Sequence, residues 1–191
     1  LETLRIFILK SKLFQYPYKA MYNNLSNELM ILEEDDTIYH ELLHLSCNNR
    51  KSKNNIRGFA HYTKKQKNIL SFGTGLDEVY TEILANRLFN KEINTTTTKT
   101  VELVLLLEQI INKLPSLYLN SDLYELVLEL SKYTNINESL EFIYNIDRLY
   151  TLEQNIKNHD KYNEIYSKTL YFLKQYQYKR NYQEKKKKTI K

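Results

Sequence analysis

Cysteine, tryptophan, glycine and proline are scarce in this 191-residue chain, which has one, none, three and two of them, respectively. The single cysteine, Cys47, excludes an internal disulfide framework. A chain without disulfides suits a reducing compartment, so we expect a cytoplasmic protein, although a chain that begins with leucine is also compatible with a processed, secreted product. No apolar run reaches the roughly 20 residues of a membrane-spanning helix, so we expect no membrane span.

The net charge of +5 is concentrated at one end of the chain. Residues 179–191 hold seven lysines and arginines against one glutamate, which leaves 21 basic and 22 acidic residues in the remainder. A basic run at a chain end is most simply a solvated tail. We therefore expect no nucleic-acid partner, and we place this tail outside the folded core.

Hydrophobic spacing predicts an α+β fold, with short strands in the first half and helices in the second. Apolar alternation between polar turns predicts strands at residues 4–8, 20–22, 28–32, 56–62 and 69–72. The second and third of these would form a hairpin, and a charged turn at residues 64–67 would separate the last two. Longer periodic segments predict helices at residues 97–114, ended by Pro115, at 123–133, capped by Ser121 and Asp122, and at 137–156 and 162–182. We expect one domain with a core over residues 1–92, a helical layer over 93–178 and the basic tail over 179–191.

The sequence His-Glu-Leu-Leu-His at residues 40–44 is the strongest indication of chemistry in the chain. In a helix, His40 and His44 lie one turn apart on one face, where both imidazoles can bind one metal ion, and Glu41 lies beside them as a base. Cap oxygens and negative charge at residues 35–37 favour a helix that starts just ahead of this motif. An amphipathic helix with two histidines by chance is the alternative, so a metal site requires a third ligand.

A second helix is predicted to open at residues 74–77, and two of its carboxylates share a face. Glu78 and Glu82 are four residues apart, so their side chains project together. All three glycines of the chain lie between the histidine motif and this helix, which places unusual backbone conformations beside the predicted site.

Residues 75–82, with the sequence Gly-Leu-Asp-Glu-Val-Tyr-Thr-Glu, resemble the second metal helix of gluzincin peptidases, the thermolysin-like group of zincins. The two segments together are also similar to metallopeptidase-like proteins of low-GC Gram-positive bacteria and their phages, in which a His-Glu-Leu-x-His helix precedes a Gly-Leu-Asn-Glu-Gly-Tyr-Thr-Glu segment. The resemblance covers residues 20–89 and implies a zincin-like core with one zinc ion per chain. It implies His40, His44 and Glu78 as zinc ligands, Glu41 as general base, and Glu82 as a hydrogen-bond partner of a ligand histidine.

The third ligand and the group that stabilises the oxyanion have more than one candidate. Glu82 and His61 are the alternatives to Glu78 as the third ligand. His61, Tyr62 and Tyr80 lie near the site in sequence and are candidate donors to the oxyanion. One departure from the family pattern is Asp77, which stands where that family usually has asparagine.

The expected function is that of a zinc-dependent metallopeptidase acting on a peptide or protein substrate. Catalytic zinc commonly has three protein ligands and leaves the fourth position to water. Glu41 would take a proton from that water as it attacks a carbonyl polarised by the metal, and would pass the proton to the leaving nitrogen. The alternative is a non-catalytic interaction or regulatory module that zinc stabilises on the same fold, and a helical protein with accidental motifs would bind no metal. Glu41 favours the enzyme, because a structural zinc site needs no base. The substrate and the oligomeric state stay open.

Overall fold

The computed structural model describes residues 3–8, 19–23, 26–32, 37–49, 55–65, 68–88, 98–154 and 159–189. Over these residues the protein is mixed α+β, as predicted, and it is mostly helical with two small sheets. The strands are β1 (Arg5–Ile8), β2 (Ala20–Asn23), β3 (Glu28–Ile31), β4 (Asn48–Asn49), β5 (Asn55–Arg57), β6 (Ala60–Lys65) and β7 (Asn68–Phe72). The helices are α1 (Thr37–Ser46), α2 (Thr74–Leu88), α3 (Lys99–Ile110), α4 (Leu114–Leu119), α5 (Leu123–Ser131), α6 (Ile136–Gln154) and α7 (His159–Thr189). Across the described residues, no helix combines the length and the apolarity that crossing a membrane requires.

The first sheet has the strand order β1-β3-β2 and confirms the predicted N-terminal strand and hairpin. β3 pairs in parallel with β1 and antiparallel with β2, in a register that joins Ala20 to Ile31. In the hairpin turn, Asn27 has a left-handed backbone (φ 55°), which asparagine tolerates, and its side chain accepts a hydrogen bond from the Tyr22 hydroxyl at 3.2 Å. β2 is an edge strand of this sheet, and it packs against α1.

The second sheet is an antiparallel meander with the order β4-β5-β6-β7. The prediction of one extended piece over residues 56–62 is wrong, because a turn at Gly58 and Phe59 separates β5 from β6. Gly58 has a left-handed backbone (φ 51°), and a β-carbon there would lie 2.0 Å from Asp77 Oδ1. The chain therefore reverses where only glycine fits beside a buried carboxylate. β6 extends to Lys65, so residues 64 and 65, which were predicted to lie in a charged turn, belong to this strand.

The helix of the histidine motif forms as predicted, over Thr37–Ser46. Two of the residues expected to cap it, at positions 35 and 36, lie outside the described residues.

The second predicted helix begins at Thr74, and a side chain from another helix holds its N-terminus. Asp147 of α6 accepts hydrogen bonds from the backbone N–H groups of Gly73 and Gly75, each at 2.7 Å. The first N–H groups of a helix have no acceptor within the helix, so a carboxylate at this position satisfies them. Burial raises the pKa of Asp147, and these N–H groups oppose the rise. Asp147 thus fixes the start of the helix that carries the candidate ligand Glu78.

The main hydrophobic core lies between α2 and the C-terminal helices. α6 packs against α2, α5 and α7, and α3 packs against α2 and α7. Fully buried members of this core are Leu76, Tyr80, Leu103, Leu107 and Ile146. Because burial of a large apolar side chain stabilises a fold by roughly 1.5–3 kcal/mol, α2 is firmly anchored in the helical body.

The helix predicted over residues 97–114 ends earlier, at Ile110, and Pro115 lies in the first turn of α4. The prediction that Pro115 ends a helix is therefore wrong. Proline fits a first helical turn because the N–H group that it lacks would have no partner there. The predicted cap of α5 is confirmed by Asp122, whose side chain accepts a hydrogen bond from the backbone N–H of Glu125 at 2.9 Å.

The last helix is longer than predicted and includes most of the basic segment. Residues 179–189 continue α7, whereas the helix was predicted to end at residue 182. Arg180 donates a hydrogen bond to the backbone oxygen of Ile110 at 2.5 Å, whereas the side chains of residues 181–187 are exposed. The lysines at 185–187 are therefore solvated, as predicted, but on a helix.

Ser121 connects the turn between α4 and α5 to the segment that follows the histidine motif. Its hydroxyl donates to the backbone oxygen of Cys47 and accepts from the backbone N–H of Gly58 at 3.1 Å. Ser121 is buried and has a left-handed backbone (φ 55°), which is uncommon for a residue other than glycine. This one side chain joins the end of α1, the turn after β5 and the helical layer.

Candidate metal centre

The helices α1 and α2 bring three candidate ligand atoms together. His40 Nε2 lies 2.9 Å from His44 Nε2 and 3.2 Å from Glu78 Oε2, and His44 Nε2 lies 3.4 Å from the same oxygen. Zinc–ligand bonds of about 2.0–2.1 Å in a tetrahedral site place ligand atoms roughly 3.3 Å apart. The three side chains are thus close enough to bind one metal ion. Among the described residues, Glu82 and His61 do not belong to this group.

The centre is closed on one side and open on the other. The four-residue spacing of the histidines places both rings on one face of α1, in edge-to-face contact with centroids 4.6 Å apart. The side chain of His44 is 1% exposed, whereas those of His40 and Glu78 are 17% and 23% exposed. Solvent therefore reaches the centre past His40 and Glu78.

Glu82 contacts the ring of His40 from behind. Its Oε2 lies 3.0 Å from His40 Nδ1, and its Oε1 accepts a hydrogen bond from Asn86 Nδ2 at 3.1 Å. Because Glu82 follows Glu78 by one helical turn, the same face of α2 supplies a candidate ligand and the partner of another.

Asp77 is the corresponding carboxylate for His44. Its Oδ2 lies 3.3 Å from His44 Nδ1, and its Oδ1 accepts a hydrogen bond from the backbone N–H of Phe59 at 2.9 Å. Asp77 is fully buried, and Thr81 Oγ1 lies 3.4 Å from the same ring nitrogen. Both histidines therefore turn Nδ1 toward a carboxylate and Nε2 toward the centre.

Arg57, at the end of β5, is a buried cation beside these acids and was not predicted from the sequence. Its Nη2 lies 2.5 Å from Glu78 Oε1, and its Nε donates to Asp77 Oδ2 at 3.1 Å. The guanidinium lies 5.8 Å from the ring centre of Tyr62. The only indication in the sequence is its position directly before Gly58.

The ionisable groups of the centre shift one another's pKa values. Burial opposes a charge on His40, but its hydrogen bonds to Glu78 and Glu82 outweigh burial and raise its pKa to about 9. Burial likewise opposes a charge on His44, and its hydrogen bonds to Asp77 and Glu78 raise its pKa. Burial would raise the pKa of Glu78, but the hydrogen bonds to both histidines prevail and lower it. Protons therefore compete with a metal ion for the histidine nitrogens.

Glu41 lies on α1 next to His40, with its carboxylate directed to the first sheet. Its Oε2 accepts a hydrogen bond from the backbone N–H of Tyr22 at 2.7 Å. Tyr22 belongs to the edge strand β2, so this bond joins the helix of the histidines to the sheet edge.

The three candidate oxyanion donors lie in different surroundings. Tyr80 is fully buried and donates a hydrogen bond to Glu108 Oε1 of α3 at 2.7 Å. It lies two residues after Glu78, which is about 200° around the helix, so its side chain points away from the centre. His61 lies on β6, and burial lowers its pKa. Tyr62 contacts the centre through Arg57, and burial raises the pKa of Tyr62 to about 12. Of the three, Tyr62 lies beside Arg57, which contacts the candidate ligand Glu78.

No protein-family model, curated protein or solved structure matches this chain. A functional conclusion therefore depends on the geometry of the centre and on general chemistry.

Proposed function

We propose that this protein is a zinc-dependent metallopeptidase with a zincin-like core. The observation that carries the proposal is the convergence of His40, His44 and Glu78, with a carboxylate at the second nitrogen of each ring. Ligand histidines of metal sites commonly donate that second N–H to a carboxylate, which fixes the tautomer and the direction of the ring. Two histidines that shared a helix by chance would lack this second layer of partners.

The donor set supports a catalytic rather than a structural zinc site. Two histidines and one glutamate are three ligands, and catalytic zinc keeps its remaining position open. The exposed side of the centre, past His40 and Glu78, gives a substrate access to that position. A zinc ion bound there would supply Lewis acidity, which polarises a carbonyl and lowers the pKa of water.

We assign Glu41 as the general base. The Tyr22 amide engages Oε2, which holds the carboxylate in one orientation, so Oε1 is the oxygen that we assign to proton transfer. Glu41 takes a proton from the attacking water and passes it to the leaving nitrogen.

The position of β2 supports a peptide or protein as the substrate. β2 is an edge strand, and the N–H of Tyr22 points away from β3, toward α1. An extended peptide can add to the edge of a sheet. The substrate would therefore bind in extended conformation alongside β2, at main-chain groups other than the Tyr22 N–H, which Glu41 occupies.

One observation favours the second candidate function, a zinc-stabilised module without activity. The bond between Glu41 and the Tyr22 amide also gives Glu41 a structural role, because it ties α1 to the sheet. In this alternative Glu41 is needed for the fold and not for hydrolysis.

The metal assignment is tested by zinc analysis of the purified protein. About one zinc per chain should copurify, and His44→Ala or Glu78→Ala should abolish stoichiometric zinc. His61→Ala is the matched control and should retain it. Full occupancy in Glu78→Ala, with loss only in Glu82→Ala or His61→Ala, would overturn the ligand assignment.

Activity separates the two candidate functions. Glu41→Gln keeps the size of the side chain and an acceptor for the Tyr22 amide, but removes its basicity. The enzyme should lose peptide hydrolysis by orders of magnitude while it retains zinc and fold. Glu164→Gln, which changes an exposed carboxylate on α7, is the control. A wild-type protein with full zinc and no hydrolysis across a diverse peptide library would favour the module.

A further inference from the structure

The buried guanidinium of Arg57 contacts two consecutive acids of α2 in different ways. Arg57 is 7% exposed, and its Nη2 lies 2.5 Å from Glu78 Oε1 and 3.1 Å from Asp77 Oδ2. Its Nε donates to the same oxygen of Asp77 at 3.1 Å. The planar fork of arginine therefore spans both carboxylates, which a lysine ammonium, a single point charge, does not reproduce.

The two carboxylate oxygens of Glu78 have different partners. Oε1 belongs to Arg57, whereas Oε2 faces the Nε2 atoms of His40 and His44 at 3.2 and 3.4 Å. A carboxylate can bind a cation through one oxygen or through both. With Oε1 occupied, Glu78 offers one oxygen in one direction.

We propose that Arg57 is a positioning residue of the metal centre, which restricts Glu78 to binding through Oε2 and fixes its direction. This inference rests on the proposed metal site but not on peptidase activity.

The backbone around Arg57 is held in a way that fits this role. The next residue, Gly58, has a left-handed backbone, and its N–H donates to Ser121 Oγ at 3.1 Å. The ring of Tyr62 lies near the guanidinium, at 5.8 Å from its centre. The side chain of Arg57 thus reaches the centre from a turn whose backbone is held by a hydrogen bond.

The sign of its effect on metal affinity distinguishes positioning from charge. A positive charge beside a cation site repels the cation, so loss of Arg57 as a mere charge would tighten metal binding. Loss of a residue that orients a ligand weakens metal binding, typically about 10–100-fold. The two roles therefore predict opposite changes.

The experiment measures zinc dissociation constants by chelator competition and the visible spectrum of the cobalt(II) form. Arg57→Lys keeps the charge without the fork, and Arg57→Met removes both. We expect both variants to bind zinc roughly 10–100-fold more weakly, with a weaker cobalt band as Glu78 binds through both oxygens. The matched controls are Arg87→Lys and Arg87→Met, at a residue of α2 that makes a two-bond pair with Glu108 of α3. They should leave zinc affinity close to wild type.

Arg57→Met leaves the buried Asp77 without its cation, so a folding defect needs its own variant. Arg57→Met with Asp77→Asn removes both charges, and the melting temperature of its zinc-free form should recover toward wild type. Because Asp77 also contacts His44, its zinc affinity is compared with that of Asp77→Asn alone and should be weaker. Wild-type affinity in Arg57→Lys, tighter binding in Arg57→Met, or full recovery of affinity in the double variant would overturn the role of Arg57. A wild-type chain that binds no zinc would overturn the metal centre itself, and the role of Arg57 with it.

Discussion

The two helices that supply the candidate ligands are anchored very differently. α1 has one buried residue, His44, among its ten residues, whereas α2 has eight buried residues among fifteen. α2 packs against α3 and α6 of the helical body, while α1 packs mainly against β2 and α2. The centre thus joins a helix that the core holds to one that polar contacts hold.

If a metal ion binds as we propose, this difference gives it a mechanical role. Glu41 binds the Tyr22 amide, and His44 contacts Asp77, but α1 buries little apolar surface of its own. A metal ion held by His40, His44 and Glu78 would link α1 to α2 directly. The helical body should stay folded without this link, whereas α1 should unfold locally.

The largest expected effect follows from removing zinc. On treatment with a chelator, amide hydrogen exchange should increase strongly in α1 and β2, while α3 and α6 stay protected. A ligand at 1,000 times its dissociation constant stabilises the state that binds it by about 4 kcal/mol, so local protection should change by up to that amount. Exchange mass spectrometry of peptides from both regions is the measurement. Uniform loss of protection across the protein would show that the two helices are equally anchored.

A smaller effect is expected when the anchoring of α2 is weakened. Asp147→Ala removes the acceptor for Gly73 and Gly75, which should cost about 1–2 kcal/mol and lower zinc affinity as the start of α2 frays. Glu153→Ala is the matched control, because this carboxylate lies on the same helix and accepts from Thr100 at the start of α3. Urea unfolding should show a lower free energy of unfolding in both variants, whereas zinc titration should show a lower affinity only in Asp147→Ala. Equal zinc affinities would break the link between the start of α2 and the centre.

The titration of His40 should make both the free energy of unfolding and the zinc affinity depend on pH. Its pKa in the folded protein is about 9, above the ordinary value of 6.5, so its charge stabilises the zinc-free protein fully below pH 6.5. That stabilisation should be lost as the pH rises toward 9. Zinc affinity should rise over the same interval, because protons and zinc compete. Urea unfolding and zinc competition at several pH values test both trends, and His40→Ala should flatten the first. A zinc affinity independent of pH would contradict the competition.

The smallest effect is expected for the end of α7. Deletion of residues 183–191 keeps the contact of Arg180 with Ile110 and removes Glu184, whose ion pair with Arg180 is largely exposed. Exposed pairs contribute about 0–1 kcal/mol, so melting temperature and zinc content should stay close to wild type while retention on a cation exchanger falls. Arg180→Ala is the comparison. It removes the hydrogen bond to Ile110 and should lower the melting temperature more than the deletion does. Loss of zinc on deletion would show that this segment supports the centre.

Local periodicity was enough to predict the parts of the centre that lie on single helices. His40 and His44, and likewise Glu78 and Glu82, are one turn apart, and this spacing alone places each pair on one face. The same periodicity argues against Tyr80, which lies on the far side of α2 from Glu78. That signal was present in the sequence.

Contacts between distant segments could not be predicted in this way. The contact of Asp77 with His44 depends on how α1 crosses α2, and the entry of Arg57 depends on the turn at Gly58. Neither follows from the spacing of residues within one segment. The hairpin of β2 and β3 was predicted because its turn and both strands are adjacent in sequence.

The bridge at Ser121 bears on how such a protein can change by recombination. Its hydroxyl completes hydrogen bonds for Cys47 and Gly58, both of which precede the helical layer in the chain. A chain cut after residue 92 would remove the Ser121 hydroxyl from these two backbone groups and would expose the apolar face of α2. The first half is therefore not an independent folding unit that recombination could transfer by itself, even though every candidate ligand lies within it.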